Sequence, residues 1–247
     1  ELEDPNIFIK NKLTDDIFSS NNKQKGNFEI KFFTTKNSLN YDIIKDTIEF
    51  TNKSKNNSNF DLRGLISFHP FHFNLTTDLK KIDLSQLEKI FFSLYANKNS
   101  KLENLSGKLK INFNKIDHKI INKGSLYLLF ESSNINVSQN IFNVGDFAKL
   151  EISDYEYLDD IEEILQMKVK LDIFNSEKFN RFLFNYKKNK ILSKKLFFTL
   201  QYDPNTKTSL ISKISNKNFD NSAEFYKFKN VQQLKILLRE DKVFNLE

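Results

Sequence analysis

Mainly β structure is what this sequence predicts: a long, twisted antiparallel sheet curled into a groove or open barrel, with about two amphipathic helices packed on it or capping it. Three observations predict it. Apolar and polar residues alternate along much of the chain, the period of a strand with one dry and one wet face. Strand-like segments follow one another directly, which favours an antiparallel meander over βαβ units. The chain of 247 residues holds 26 Phe but only 5 Gly, and its mean hydropathy of -0.53 requires that this apolar load be interleaved with polar residues.

The stretch Asn59–Lys80 shows the pattern most plainly. Phe60, Leu62, Ile66 and Phe68 occupy even positions. After Pro70, Phe71, Phe73 and Leu75 occupy odd ones. Proline lacks a ladder donor, so it belongs at a strand start, an edge or a bulge. A parity change demands an interruption too, since otherwise the dry face would turn over. Two long strands, or one bent strand, are expected, with a kink at His69–Pro70.

Upstream, Phe28, Ile30 and Phe32 define a strand after a polar loop over Ser19–Gly26. Asn37–Asn40 reads as a turn and Tyr41–Phe50 as one strand. Thr51–Asn59 reads as a polar loop. Downstream, Leu109, Ile111 and Phe113 alternate with Lys108, Lys110 and Asn112. Leu126, Leu128 and Phe130 share the face of a further strand. Ala148, Leu150 and Ile152 form another after a turn at Gly145, and Tyr155–Glu163 reads as an acidic loop. Val169, Leu171 and Ile173 continue the alternation. Leu196, Phe198, Leu200 and Tyr202 follow, then strands at Ser209–Ile214 and Ala223–Phe228. Val231–Arg239 fits a helix or a strand.

Two segments switch to the helical period. Leu87, Ile90, Phe91, Leu94 and Tyr95 make one stripe, with Ser85 and Glu88 spaced as a capping box. Phe179, Phe182, Leu183 and Tyr186 make the other, with Ser176 as the expected N-cap.

The composition excludes several classes of function. With 38 basic and 32 acidic residues the net charge is +6, too low and too scattered for a dedicated nucleic-acid binder. Zero Cys excludes a disulfide framework, a cysteine–zinc site and a thiol nucleophile. No apolar run reaches the ~18–20 residues of a membrane helix. No phosphate-binding glycine loop, nucleophile elbow or HExxH sequence occurs. His69 and His72 flank Pro70, and His118 is the only other histidine, so a metal site is not expected. Asp159, Asp160, Glu162 and Glu163 read as a solvated acidic turn. Lys187, Lys188, Lys190, Lys194 and Lys195 read as a charged helix end that suits the helix dipole. No cofactor is expected.

The order Gly64-Leu65-Ile66-Ser67-Phe68, Pro70-Phe71-His72-Phe73, a capped helix over 84–95 and Leu102–Phe113 resembles the C-terminal region of AsmA-like envelope proteins of Gram-negative bacteria. Gly145–Tyr157, Met167–Phe174 and Phe179–Tyr186 fit the same pattern, so the likeness covers roughly 28–215. The resemblance implies a twisted β-groove that binds or conducts phospholipid acyl chains in the periplasm, supporting lipid transport or outer-membrane assembly. It also implies an N-terminal inner-membrane anchor, expected ahead of this fragment, and no catalytic residues. The expected lining is Phe68, Phe73, Leu109, Ile111, Phe113, Leu128, Phe130, Val169, Leu171 and Ile173.

The residues alone leave two outcomes open. The dry face either packs a filled core or keeps a groove for an apolar guest. A β-rich scaffold that binds another envelope protein through an edge strand is the alternative function. The whole chain, 1–247, is expected to be one β domain, a fragment of a longer protein, with 1–27 and 230–247 peripheral.

Overall fold

Antiparallel ladders account for most of the architecture. The structure, a computed structural model, describes residues 8–14, 23–32, 35–50, 60–83, 86–87, 106–118, 120–131, 134–137, 140–157, 164–184, 194–203 and 208–215. It is mainly β. Its contacts group into two units: Glu1–Asp117 with Ser125–Val137, and His118–Gly124 with Ser138–Glu247.

In the first unit the strands lie in the order β1 (Phe8–Thr14), β2 (Lys23–Phe32), β3 (Thr35–Ile44), β4 (Thr47–Phe50), β5 (Phe60–Phe68), β6 (Phe71–Leu79), β8 (Ser106–Phe113) and β10 (Ile121–Glu131), the last from Ser125 onward. A short β11 (Asn134–Val137) pairs with β10. Two-residue strands β7 (Ile82–Asp83) and β9 (Ile116–Asp117) form a small parallel pair of their own. The second unit continues with β12 (Asn140–Val144), β13 (Ala148–Tyr157), β14 (Leu165–Ile173), helix α1 (Ser176–Phe184), β15 (Lys195–Asp203) and β16 (Thr208–Ser215). Its strands pair in sequence order, all antiparallel.

Several expectations are corrected. The sheet is mixed, because β6 and β8 run parallel, with Phe73 opposite Gly107 and Leu79 opposite Phe113. A parallel return needs a crossover of a dozen or more residues, and the segment between Leu79 and Ser106 supplies it. The kink at His69–Pro70 is a two-residue hairpin turn with a cis peptide bond, and Phe68 pairs with Phe71 across it. A two-residue turn accounts for the parity change, so no bulge is needed. Tyr41–Phe50 is not one strand but a hairpin that turns at Lys45 and Asp46, with Lys45 at φ 53°.

Asn37–Asn40 is strand, not turn. These poor strand formers are held by a polar cluster in which Asn27 Nδ2 donates to Ser38 Oγ at 2.7 Å and to Asn40 Oδ1 at 2.8 Å. Leu39, between them, is buried on the other face. Lys23–Gly26 likewise belongs to β2 instead of a loop. Tyr155–Tyr157 extends β13, because a bulge between Ile152 and Asp154 resets the register and puts Tyr155 opposite Met167.

Asp83 and Gln86 form the reciprocal box: Gln86 N–H donates to Asp83 Oδ1 at 2.7 Å, and Asp83 N–H donates to Gln86 Oε1 at 3.1 Å. Gln86 and Leu87 are helical. The rest of the stretch expected to be helical, and the Ser85–Glu88 pair, lie outside the described residues. For α1 the cap is Asn175 rather than Ser176, with Lys178 N–H donating to Asn175 Oδ1 at 3.0 Å. The segments Thr51–Asn59, Ala223–Phe228 and Val231–Arg239 lie outside the described residues as well.

Candidate functional site

The pairing registers of the first unit resolve its sheet into rows of residues that share a face. One face is apolar, and its burial is graded from end to end. The row Phe60, Leu79 and Phe113 is closed, with Phe113 only 1% exposed. The next row, Leu62, Thr77 and Ile111, is also buried. Thr77 satisfies its hydroxyl there by donating to Asp61 O at 3.0 Å. In the third row Tyr41 and Phe50 are buried while Leu75 and Leu109 are partly open. The fourth row, Ile43, Ile48, Ile66 and Phe73, is partly open throughout. At the hairpin end Phe68 and Phe71 are 43% and 39% exposed.

A file of aromatic rings follows this gradient. Phe71 and Phe73 meet edge to face at 6.4 Å between centroids, and Phe73 and Phe130 do so at 5.1 Å. Gly107, opposite Phe73, makes the second contact available. A Cβ at position 107 would sit 2.5 Å from the Phe73 ring and 2.5 Å from its carbonyl oxygen. Gly64 admits a second close approach, at φ +131° and against the Asn74 carbonyl.

The opposite face is polar in its middle. Arg63 pairs with Asp78, and Asn112 Nδ2 donates to Asp78 Oδ1 at 2.7 Å. Lys81 and Asp117 pair at 2.9 Å, and the hydrogen bond from Lys81 holds the Asp117 carboxyl below its usual range.

The second unit differs. Asn140, Ile152, Val169 and Phe198 form a wholly buried row, and Met167 with Leu200 and Leu165 with Tyr202 are buried beside it. Its wet face carries a carboxylate–amine–carboxylate group: Lys170 lies 3.2 Å from Glu151 and 3.1 Å from Asp172. Hydrogen bonds to Asp172 and Glu151 raise the Lys170 pKa. Phe147 packs against Phe179 of α1, and Lys178 of that helix pairs with Asp146 and holds its carboxyl low.

The expected lining residues therefore separate. Phe68, Phe73 and Leu109 lie at the open end of the first unit's apolar face. Ile111, Phe113, Leu128 and Phe130 lie in its dry part. Val169, Leu171 and Ile173 belong to the second unit and are buried there. Phe71 is the residue that sequence reasoning left out. Its signal was its parity with Phe73 directly after Pro70.

The histidines do not converge. His69 Nδ1 stands 3.9 Å from Asp46, His72 Nδ1 3.3 Å from Ser106 Oγ, and His118 Nδ1 accepts the Ile121 N–H at 3.1 Å. Among the described residues no group of three metal-binding side chains assembles. Lys195 opens β15 and Lys194 precedes it, while Lys187, Lys188, Lys190 and the carboxylates Asp159, Asp160, Glu162 and Glu163 lie outside the described residues. No helix among those residues is long and apolar enough to cross a membrane. No protein-family model, no curated protein and no solved structure matches this chain.

Proposed function

We propose that this protein is a non-enzymatic domain that binds phospholipid acyl chains on the apolar face of its first unit, with the mouth at Phe68 and Phe71. The graded burial of that face carries the reading. An apolar surface that only fills a core is dry; in the second unit the described side chains of the rows from Val144 to Tyr202 are buried except at partly open Leu150. Here it opens in steps, from Phe113 to Phe71, while carrying large apolar side chains in every row. The partly open stretch from Phe68 to Gly64 spans four residue steps, ~14 Å at strand rise. That is close to the ~15 Å occupied by one leaflet of hydrocarbon. Phe68, Phe73 and Leu109 form the seat, and the closed rows beyond form its floor.

The resemblance to AsmA-like proteins supports the same chemistry and suggests a place in the Gram-negative envelope, in lipid transport or outer-membrane assembly. The test is uptake of a monomeric lysophospholipid by the purified chain. Saturable binding that weakens at least severalfold in Phe68→Ser/Phe71→Ser is expected. No saturable uptake, with folded protein, sinks the proposal.

A further inference from the structure

Large hydrophobic side chains are exposed at one end of the first unit on both faces of its sheet. Phe68 and Phe71 stand on the apolar face. Ile44 and Leu65, 38% and 41% exposed, stand on the opposite one. Their placement follows from register: Leu65 pairs with Glu49 and Ile44 with Thr47, in the rows that otherwise carry polar residues. The two hairpin tips at this end are joined, since Phe68 N–H donates to Asp46 O at 2.9 Å. They present a single apolar prow.

We infer that this prow enters the interfacial layer of a lipid bilayer. A protein docked on one face would leave the other pair of side chains in water, whereas a lipid phase surrounds both. The charge at the tip suits a headgroup layer. Asp46 and Glu49 are its carboxylates, Glu49 exposed opposite Leu65, and His69 stands 3.9 Å from Asp46. Exposed Lys45 in the neighbouring turn can extend its amine toward headgroups while its stem stays apolar. Bulky apolar side chains with flanking cations are the composition of interfacial anchors. The inference goes beyond the acyl-chain reading, because Ile44 and Leu65 are not on the face proposed to hold a chain.

The experiment uses the full chain with phosphatidylcholine vesicles in a flotation assay, beside lysophospholipid uptake. The variant is Ile44→Ser/Leu65→Ser, whose exposed positions spare the fold; circular dichroism checks this. Removing two buried-on-insertion aliphatic side chains lowers vesicle partition about tenfold or more, with lysophospholipid uptake unchanged. Wild-type protein that stays below the vesicles, or a variant that floats equally well, overturns the inference. A wild-type dimer that the variant abolishes, without flotation of either, overturns it in favour of a second copy. Flotation without lysophospholipid uptake overturns the acyl-chain reading alone and leaves the prow as inferred.

Discussion

Phe73 and Phe130 meet edge to face with ring centroids 5.1 Å apart, and the missing side chain of Gly107 is what lets them. Gly107→Ala pushes a methyl into the Phe73 ring and backbone. Overpacking of this kind costs about 1–3 kcal/mol. The urea midpoint is expected to fall by a corresponding amount, and lysophospholipid uptake to weaken because the ring that closes the seat is displaced. Unchanged values of both measurements would contradict the role given to this glycine.

Phe113 and Phe68 lie on one face and differ in burial, 1% against 43%. Phe113→Ala opens a cavity and is expected to cost about 3–5 kcal/mol. Phe68→Ala, at the exposed end, stays within about 0.5 kcal/mol of wild type while reducing uptake. Equilibrium denaturation of the two variants, read beside binding, checks the gradient directly. Equal destabilisation by both would mean that the face is closed at each end.

Asp83 ends β7 and caps the helical turn at Gln86. Asp83→Ala is expected to cost about 1 kcal/mol, and Asp83→Asn, which keeps an acceptor, less. Thermal melting of the two variants distinguishes a cap from a merely exposed carboxylate, for which both changes would be neutral.

Lys170 sits between Glu151 and Asp172, which raise its pKa above the ordinary 10.5. A raised folded value means that the protonated amine is favoured in the native state. The associated stability is therefore complete below 10.5 and is lost as pH climbs through the higher folded value. Wild type should exceed Lys170→Met in denaturant midpoint at neutral pH, and the gap should close in strong alkali. A gap that persists there would assign the effect to packing by the lysine stem.

What the sequence made legible was local. The alternation of Phe60, Leu62, Ile66 and Phe68, and of Met167, Val169, Leu171 and Ile173, depends only on neighbours two residues away, and those strands stand where the pattern puts them. What it hid was non-local. Asn37–Asn40 became strand through side-chain bonds to Asn27, ten and more residues back. The parallel return of β8 depends on the path of a long crossover, which periodicity does not encode. The candidate lining was legible as a set of apolar positions. Its opening at Phe68 and Phe71 was not, because burial depends on every strand beside them.

The parallel joint between β6 and β8 also orders the pairing of strands as the chain emerges. The strands from β1 to β6 pair with their neighbours in sequence, so each meets its partner as soon as that length of chain is free. β6 then offers a bare row of amides and carbonyls until another 27 or so residues have emerged and Gly107 reaches Phe73. In that interval the nascent chain carries an adhesive border, and it is then that the growing polypeptide most needs a chaperone's cover.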